Sequence, residues 1–156
     1  MSNLVKKAVF SGLIVLALAL SYTAIGGFTG MDGYLLQTGR TDNLYIHKDN
    51  VKIIKSTIID FSHTEGFIVG LRMPAENLSC DDGDGYKIRL INKKVYFVLN
   101  TDSGEAFEFE SKELFDSKLK ELALDYSPDF TKYDEVWQRY SGYYKNTDFS
   151  SCVQID

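Results

Sequence analysis

Asp81, Asp82 and Asp84, in the run DDGDG, are the densest set of metal-type ligands in the chain. Clustered carboxylates on a glycine-loosened backbone are what a calcium ion takes. The spacing does not carry that reading through. A helix–loop–helix calcium loop starting at Asp82 needs an oxygen ligand where Tyr86 stands and a bidentate glutamate where Lys93 stands. The run reads instead as a solvated hairpin tip, and its functional use would be a basic protein partner.

The two histidines offer little more. His63, followed by Thr64 and Glu65, could form half of an acid/base pair, but no nucleophile or oxyanion donor is placed beside it by the sequence. It reads as part of a surface turn, and His47 as a residue on the outer face of a strand. The expectation is a protein that is not an enzyme and uses no metal or cofactor.

Cys80 and Cys152 are the two cysteines. Such wide spacing, without a second pair or neighbouring histidines, argues against zinc. One disulfide in an oxidising compartment is expected, worth about 4 kcal/mol for a loop of this length, with two reduced thiols as the alternative. The triplet Asn77-Leu78-Ser79 fits a glycosylation acceptor where the source glycosylates.

Aromatic residues crowd the last thirty positions. Tyr133, Trp137 and Tyr140 share one helical face and belong to a core, whereas Tyr143 and Tyr144 fall beyond the periodic part. Amphipathic rings of this kind make contact surfaces. The expected partner-binding set is therefore Tyr143 and Tyr144 with Asp81, Asp82 and Asp84, drawn together by a Cys80–Cys152 bridge.

The compartment is set by the uncharged stretch 8–31. As a helix, its apolar part, residues 8–28, covers roughly 30 Å, about one hydrocarbon core. Lys6 and Lys7 precede it, so the N-terminus stays cytoplasmic and everything from Asp32 onward is placed outside. A signal peptide fits the same orientation, with residues 13–20 as its apolar region and Ala19-Leu20-Ser21 as a cleavage site. A buried core helix fits less well, because the run is apolar on every face. Residues 1–31 thus form a signal anchor or signal peptide, and residues 32–156 a single exported domain in the periplasm or exterior.

That domain holds all 22 acidic residues and all but two of the 17 basic ones, leaving 15 basic and a formal charge of −7. Such a charge should not favour nucleic acid or anionic lipid; a basic protein would be steered toward it, and ordinary solubility is the other use of a surplus this size.

Within the domain, short β-type runs alternate with turn signals. Asp49-Asn50 suits a hairpin turn, since both tolerate positive φ. Residues 51–61 need either two covered faces or a bulge near Ser56. Residues 67–73 alternate up to Pro74, and 75–85 read as a polar interruption. Tyr86, Ile88 and Leu90 face in. The almost wholly apolar run 94–100 should be a central strand covered on both sides, and Gly104 the left-handed residue of the next hairpin. Two helices follow, one capped by Ser111, the other opened by Ser127-Pro128 and stopped by Gly142. The tail 143–156 has no period. The fold class is α+β: an antiparallel β-meander of about seven strands followed by two C-terminal helices, preceded by the N-terminal apolar helix.

The run KVYFVLNTDSGEAFEFESKELFDSKL, residues 94–119, resembles the strand, turn, strand and helix close of small uncharacterised exported bacterial proteins of immunity-protein type. That resemblance implies a bacterial setting and a stoichiometric binder, and it carries over no functional residue. Together these readings describe a membrane-anchored or secreted protein-binding domain, of the kind that inhibits a protein toxin. The alternative is an accessory subunit of a cell-envelope complex, whose apolar helix packs through Gly12, Ala17 and Ala24.

Overall fold

The computed structural model describes residues 31–37, 43–64, 66–81 and 85–155. The apolar run 8–28, Glu65, Asp82 and Asp84 lie outside them. Among the described residues no helix is long and apolar enough to cross a membrane.

Among the described residues, nine antiparallel strands precede two helices, giving the expected α+β arrangement, and a tenth strand follows them. The strands are β1 Leu35–Gln37, β2 Tyr45–Lys48, β3 Val51–Ile54, β4 Ile58–Thr64, β5 Phe67–Arg72, β6 Ala75–Cys80, β7 Gly85–Leu90, β8 Val95–Asn100 and β9 Ala106–Phe109. Helices α1, Lys112–Glu121, and α2, Phe130–Tyr144, follow, and then β10, Cys152–Ile155.

The strands exceed the expected seven for three reasons. The long run 51–61 breaks between Ile54 and Ile58, and the ladder shifts register between Ile58 and Asp60. The supposed polar interruption 75–80 is a strand, and its polar residues exchange side-chain bonds with β7 on both faces, Glu76 with Arg89 and Asn77 with Tyr86. Residues 152–155, which lack a period of their own, become β10 by pairing with β6.

The central sheet has the order β4-β5-β8-β9. Alternation along its strands serves two cores. Val69, Leu71, Tyr96 and Val98 point to one face, where Ile88, Leu90, Phe115 and Tyr133 meet them from β7 and the helices. Ile68, Phe97 and Leu99 point to the other, against Met31, Tyr34, Ile46, Ile54 and Ile58. Val95 through Leu99 are all buried, as a centrally placed strand covered on both sides requires. Phe97 stands opposite Gly70, where an added Cβ would come within 2.5 Å of both the Phe97 ring and the Asp60 carbonyl oxygen. The absent side chain is what lets the ring lie across β5.

Two smaller sheets flank this one, β1-β2-β3 and β10-β6-β7. The β6–β7 hairpin leaves the meander between β5 and β8, so these two become neighbours. Asp49 and Asn50 both take positive φ in the β2–β3 turn, and Gly104 takes φ +77° before β9.

Ser111 caps α1, its hydroxyl accepting from Leu114 N. The start of α2 differs from the expectation: Asp129, not Ser127-Pro128, is the N-cap, accepting from Thr131 N and Lys132 N. Its end differs too. The helix runs through Gly142 to Tyr144, because packing of Tyr140 and Tyr144 on the core outweighs one glycine's propensity cost of about 1 kcal/mol.

Candidate functional site

Asp81 follows directly on β6 and is exposed. Its backbone N–H reaches Ser151 O at 3.4 Å, extending the β6–β10 ladder by one pair. Just inside it, Cys80 and Cys152 face each other in register and are joined by the expected disulfide. The root of the acidic run is therefore clamped between strand pairing and a covalent bond. Asp82 and Asp84 lie outside the described residues, as does any loop geometry they share. Among the described residues no group of three or more His, Cys, Asp or Glu is placed to hold a metal ion.

Tyr143 and Tyr144 belong to the last turn of α2 and point to different tasks. Tyr143 is 57% exposed. The Tyr144 hydroxyl accepts from Leu90 N at 2.7 Å and donates toward Ile88 O, docking the helix end on β7. Its ring meets Phe149 edge-on, and Phe149 lies under the Arg89 guanidinium. The segment from Phe149 through Ser151 thus connects the aromatic helix end to the clamped acidic root. Tyr86, expected to face in, is 54% exposed instead; its hydroxyl donates to Asn77 Oδ1 at 2.7 Å, on the open part of the β6–β7 hairpin.

His63 is not in a turn. It lies in β4 opposite Ile68, and its Nε2 is 3.1 Å from Asp32 Oδ2, which also accepts from Thr101 Oγ1 at 2.8 Å. The Thr101 hydroxyl first, and His63 second, hold the Asp32 carboxyl below its usual range. Asp32 sits in a turn closed by Tyr34 N to Met31 O, with positive φ at Asp32 and Gly33. These bonds pin the first described residues to the end of the central sheet, and Met31 beside them is fully buried. His47 is half-buried against the Tyr45 ring on β2.

A second carboxylate constellation was not legible in the sequence. Asp60, in β4, accepts from the Tyr126 hydroxyl at 3.0 Å and Asp129 N at 3.1 Å on one oxygen, and from Lys132 Nζ at 2.8 Å on the other. Burial alone would raise its pKa. Lys132, Asp129 N and Tyr126 together outweigh burial and lower it. Burial, with the Asp60 charge behind it, pushes the Tyr126 hydroxyl strongly up. The cluster fastens the start of α2 to the sheet, since each of its donors comes from the segment that enters that helix. The separation of Asp60 from Lys132 in the chain is why spacing could not reveal it.

Compared with known proteins, residues 31–134 match the profile of a family described as a protein of unknown function, DUF3997. No curated protein and no solved structure matches the chain. The family description carries no immunity-protein role, so that likeness rests on residues 94–119.

Proposed function

The chain belongs to the DUF3997 family, and from that footing we propose that it is a non-enzymatic protein-binding domain exposed outside the cytoplasm, acting as an immunity-type inhibitor of a basic protein toxin. The observation that carries the reading is the Cys80–Cys152 bond at the root of the acidic run. A native disulfide belongs to an oxidising compartment, which agrees with the apolar stretch ahead of the domain and its two N-terminal lysines. The same bond fixes the strand end that carries Asp81, the first carboxylate of the run, and ordering entropy already lost there on folding is not lost again on binding. Exposed Tyr143 supplies an aromatic anchor on the adjoining helix end, with Tyr144 beneath it as support. The surplus of 22 acidic over 15 basic residues in the domain favours a basic partner through steering and register.

One observation favours a second reading, an accessory subunit of an envelope complex. Met31 is fully buried and Asp32 is tied to His63 and Thr101. Only a few residues separate this fixed point from the apolar run, a coupling suited to an anchor that orients its domain.

The test is capture with the full chain in detergent, followed by co-expression of the captured protein with this chain in a sensitive host. An inhibitor yields a basic partner and restores growth, and it still does so when residues 1–28 are replaced by an unrelated cleavable signal sequence. Capture of envelope subunits that is lost on that replacement selects the second reading and ends the first.

A further inference from the structure

A polar groove of about 400 Å3 lies between two of the sheets, lined by Lys52, Lys55, Ser56, Asn77, Gln154 and Ile155 among others. Lys52 lies on β3, Lys55 and Ser56 in the link that follows it, Asn77 on β6, and Gln154 and Ile155 on β10. β3 ends the order β1-β2-β3, and β10 ends the order β10-β6-β7. An edge strand presents unpaired N–H and C=O groups, and proteins usually blunt it with a proline, a bulge or a charge. β10, with the sequence CVQI, is short but carries no proline, bulge or charge, and Val153 is 65% exposed.

The register shows which groups are offered. Cys80 and Cys152 have Cα atoms 4.0 Å apart, the close spacing of a non-hydrogen-bonded antiparallel pair. The neighbouring contact from Asp81 N to Ser151 O agrees, because bonded and non-bonded pairs alternate. By that alternation Gln154, opposite Leu78, is also non-hydrogen-bonded toward β6, so its N–H and C=O point to the open side. The outward Cys152 N–H is already used by Phe149 O at 3.1 Å. Among the described residues, the outward N–H and C=O that both remain unpaired on β10 therefore sit at Gln154, a residue of the groove.

Charge selects the occupant. Both ionised side chains lining the groove are ammonium groups, Lys52 and Lys55, and no carboxylate lines it among the described residues. Lys52 rests over the Tyr45 ring, 4.2 Å from its centroid, and Lys55 is exposed. In a domain with surplus acid this is a local positive site.

We propose that the groove takes an extended acidic peptide segment of a partner, which adds as a strand to β10. One residue of that segment would exchange two backbone hydrogen bonds with Gln154, while its carboxylates meet Lys52 and Lys55. Strand addition of this type draws affinity from main-chain bonds and specificity from flanking side chains. The proposal is independent of the acidic tip and its basic partner.

The test is fluorescence anisotropy with the full chain in detergent at physiological ionic strength. The probe is a labelled, acetylated octapeptide of alternating glutamate and valine. Saturable binding is expected, weakened about tenfold in the Lys52→Gln/Lys55→Gln variant. Binding should also weaken about tenfold when alternate backbone nitrogens of the probe are methylated, since those positions can no longer donate. Both lysines are accessible surface residues, so retained circular dichroism and an intact disulfide confirm that the variant is folded. Absence of binding overturns the proposal, as does undiminished binding by the lysine variant. Equal binding of the methylated probe, or displacement by glutarate at matched concentration, would mark a small-anion site instead. Self-association of the chain that the probe does not compete with would give the β10 edge to a second copy.

Discussion

Cys80 and Cys152 are joined twice, as opposite residues of the β6–β10 ladder and as the two halves of a disulfide. The strand held this way has four residues and three of them are exposed. So short an edge strand has little apolar burial of its own to keep it in place. Its position depends on the bond, and with it depend the base of the acidic run and the groove wall at Gln154.

Removing the disulfide should therefore be costly both globally and locally. The Cys80→Ser/Cys152→Ser variant is expected to lose about 4 kcal/mol of unfolding free energy, the loop-closure value for cysteines this far apart. Urea titration measures the loss. Hydrogen exchange should show the amides of Val153 and Ile155, which pair with β6, losing protection first, well below the concentration at which β8 opens. Equal protection with and without the bond would mean that strand pairing alone holds the tail.

Asp60 and Lys132 give the domain an acid-labile joint. The folded-state pKa of Asp60 is lowered from 3.8, so the unfolded chain binds the proton more readily. The stabilisation is complete above that ordinary value and is lost as pH falls through the lower, folded-state one. The Lys132 value is raised, so its share is complete below 10.5 and is lost only as the pH rises through the raised value. Asp60→Ala should cost about 2 kcal/mol near neutral pH, because it strands the Tyr126 hydroxyl and Asp129 N. Stability measured from pH 6 down to 2 should fall less steeply in this variant than in the parent.

Gly70→Ala tests the close crossing of Phe97 over β5. A methyl group there would meet the Phe97 ring and the Asp60 carbonyl, both at 2.5 Å. Overpacking of this kind costs about 1–3 kcal/mol. A drop in melting temperature is expected, and a combined Phe97→Leu substitution should recover part of it.

At Gly142 the opposite sign is expected. The residue is helical, exposed, and has nothing within 4 Å of an added Cβ. Gly142→Ala should raise stability by up to about 1 kcal/mol without altering the contacts of Tyr144. Destabilisation would show that α2 needs flexibility at that point.

Much of this architecture is legible in the chain because its signals are local. Alternation around Val69 and Leu71, the apolar run of β8, the Asp49-Asn50 turn and the Ser111 cap each follow from neighbours in sequence. β6 and β10 are not legible in that way. β10 acquires strand geometry from β6 across a separation that no short window contains, and the polar side chains of β6 hide its pairing with the neighbouring β7. Tyr144 shows the same limit: only its bonds to Leu90 and Ile88 distinguish it from exposed Tyr143. In the candidate site, the disulfide and Asp81 could be anticipated from residue type. The Asp32–His63–Thr101 contact and the Asp60 joint are long-range and could not be.

In the function proposed above, the acidic run that begins at Asp81 is the surface that binds a basic protein. The direct measurement is the dissociation constant of the captured partner for the full chain and for the Asp81→Asn/Asp82→Asn/Asp84→Asn variant, at low and at physiological salt. Binding is expected to be at least about tenfold weaker in the variant, with a smaller salt dependence, because the charges removed are those that salt screens in the parent. Equal affinity and an equal salt dependence in the two proteins would contradict it.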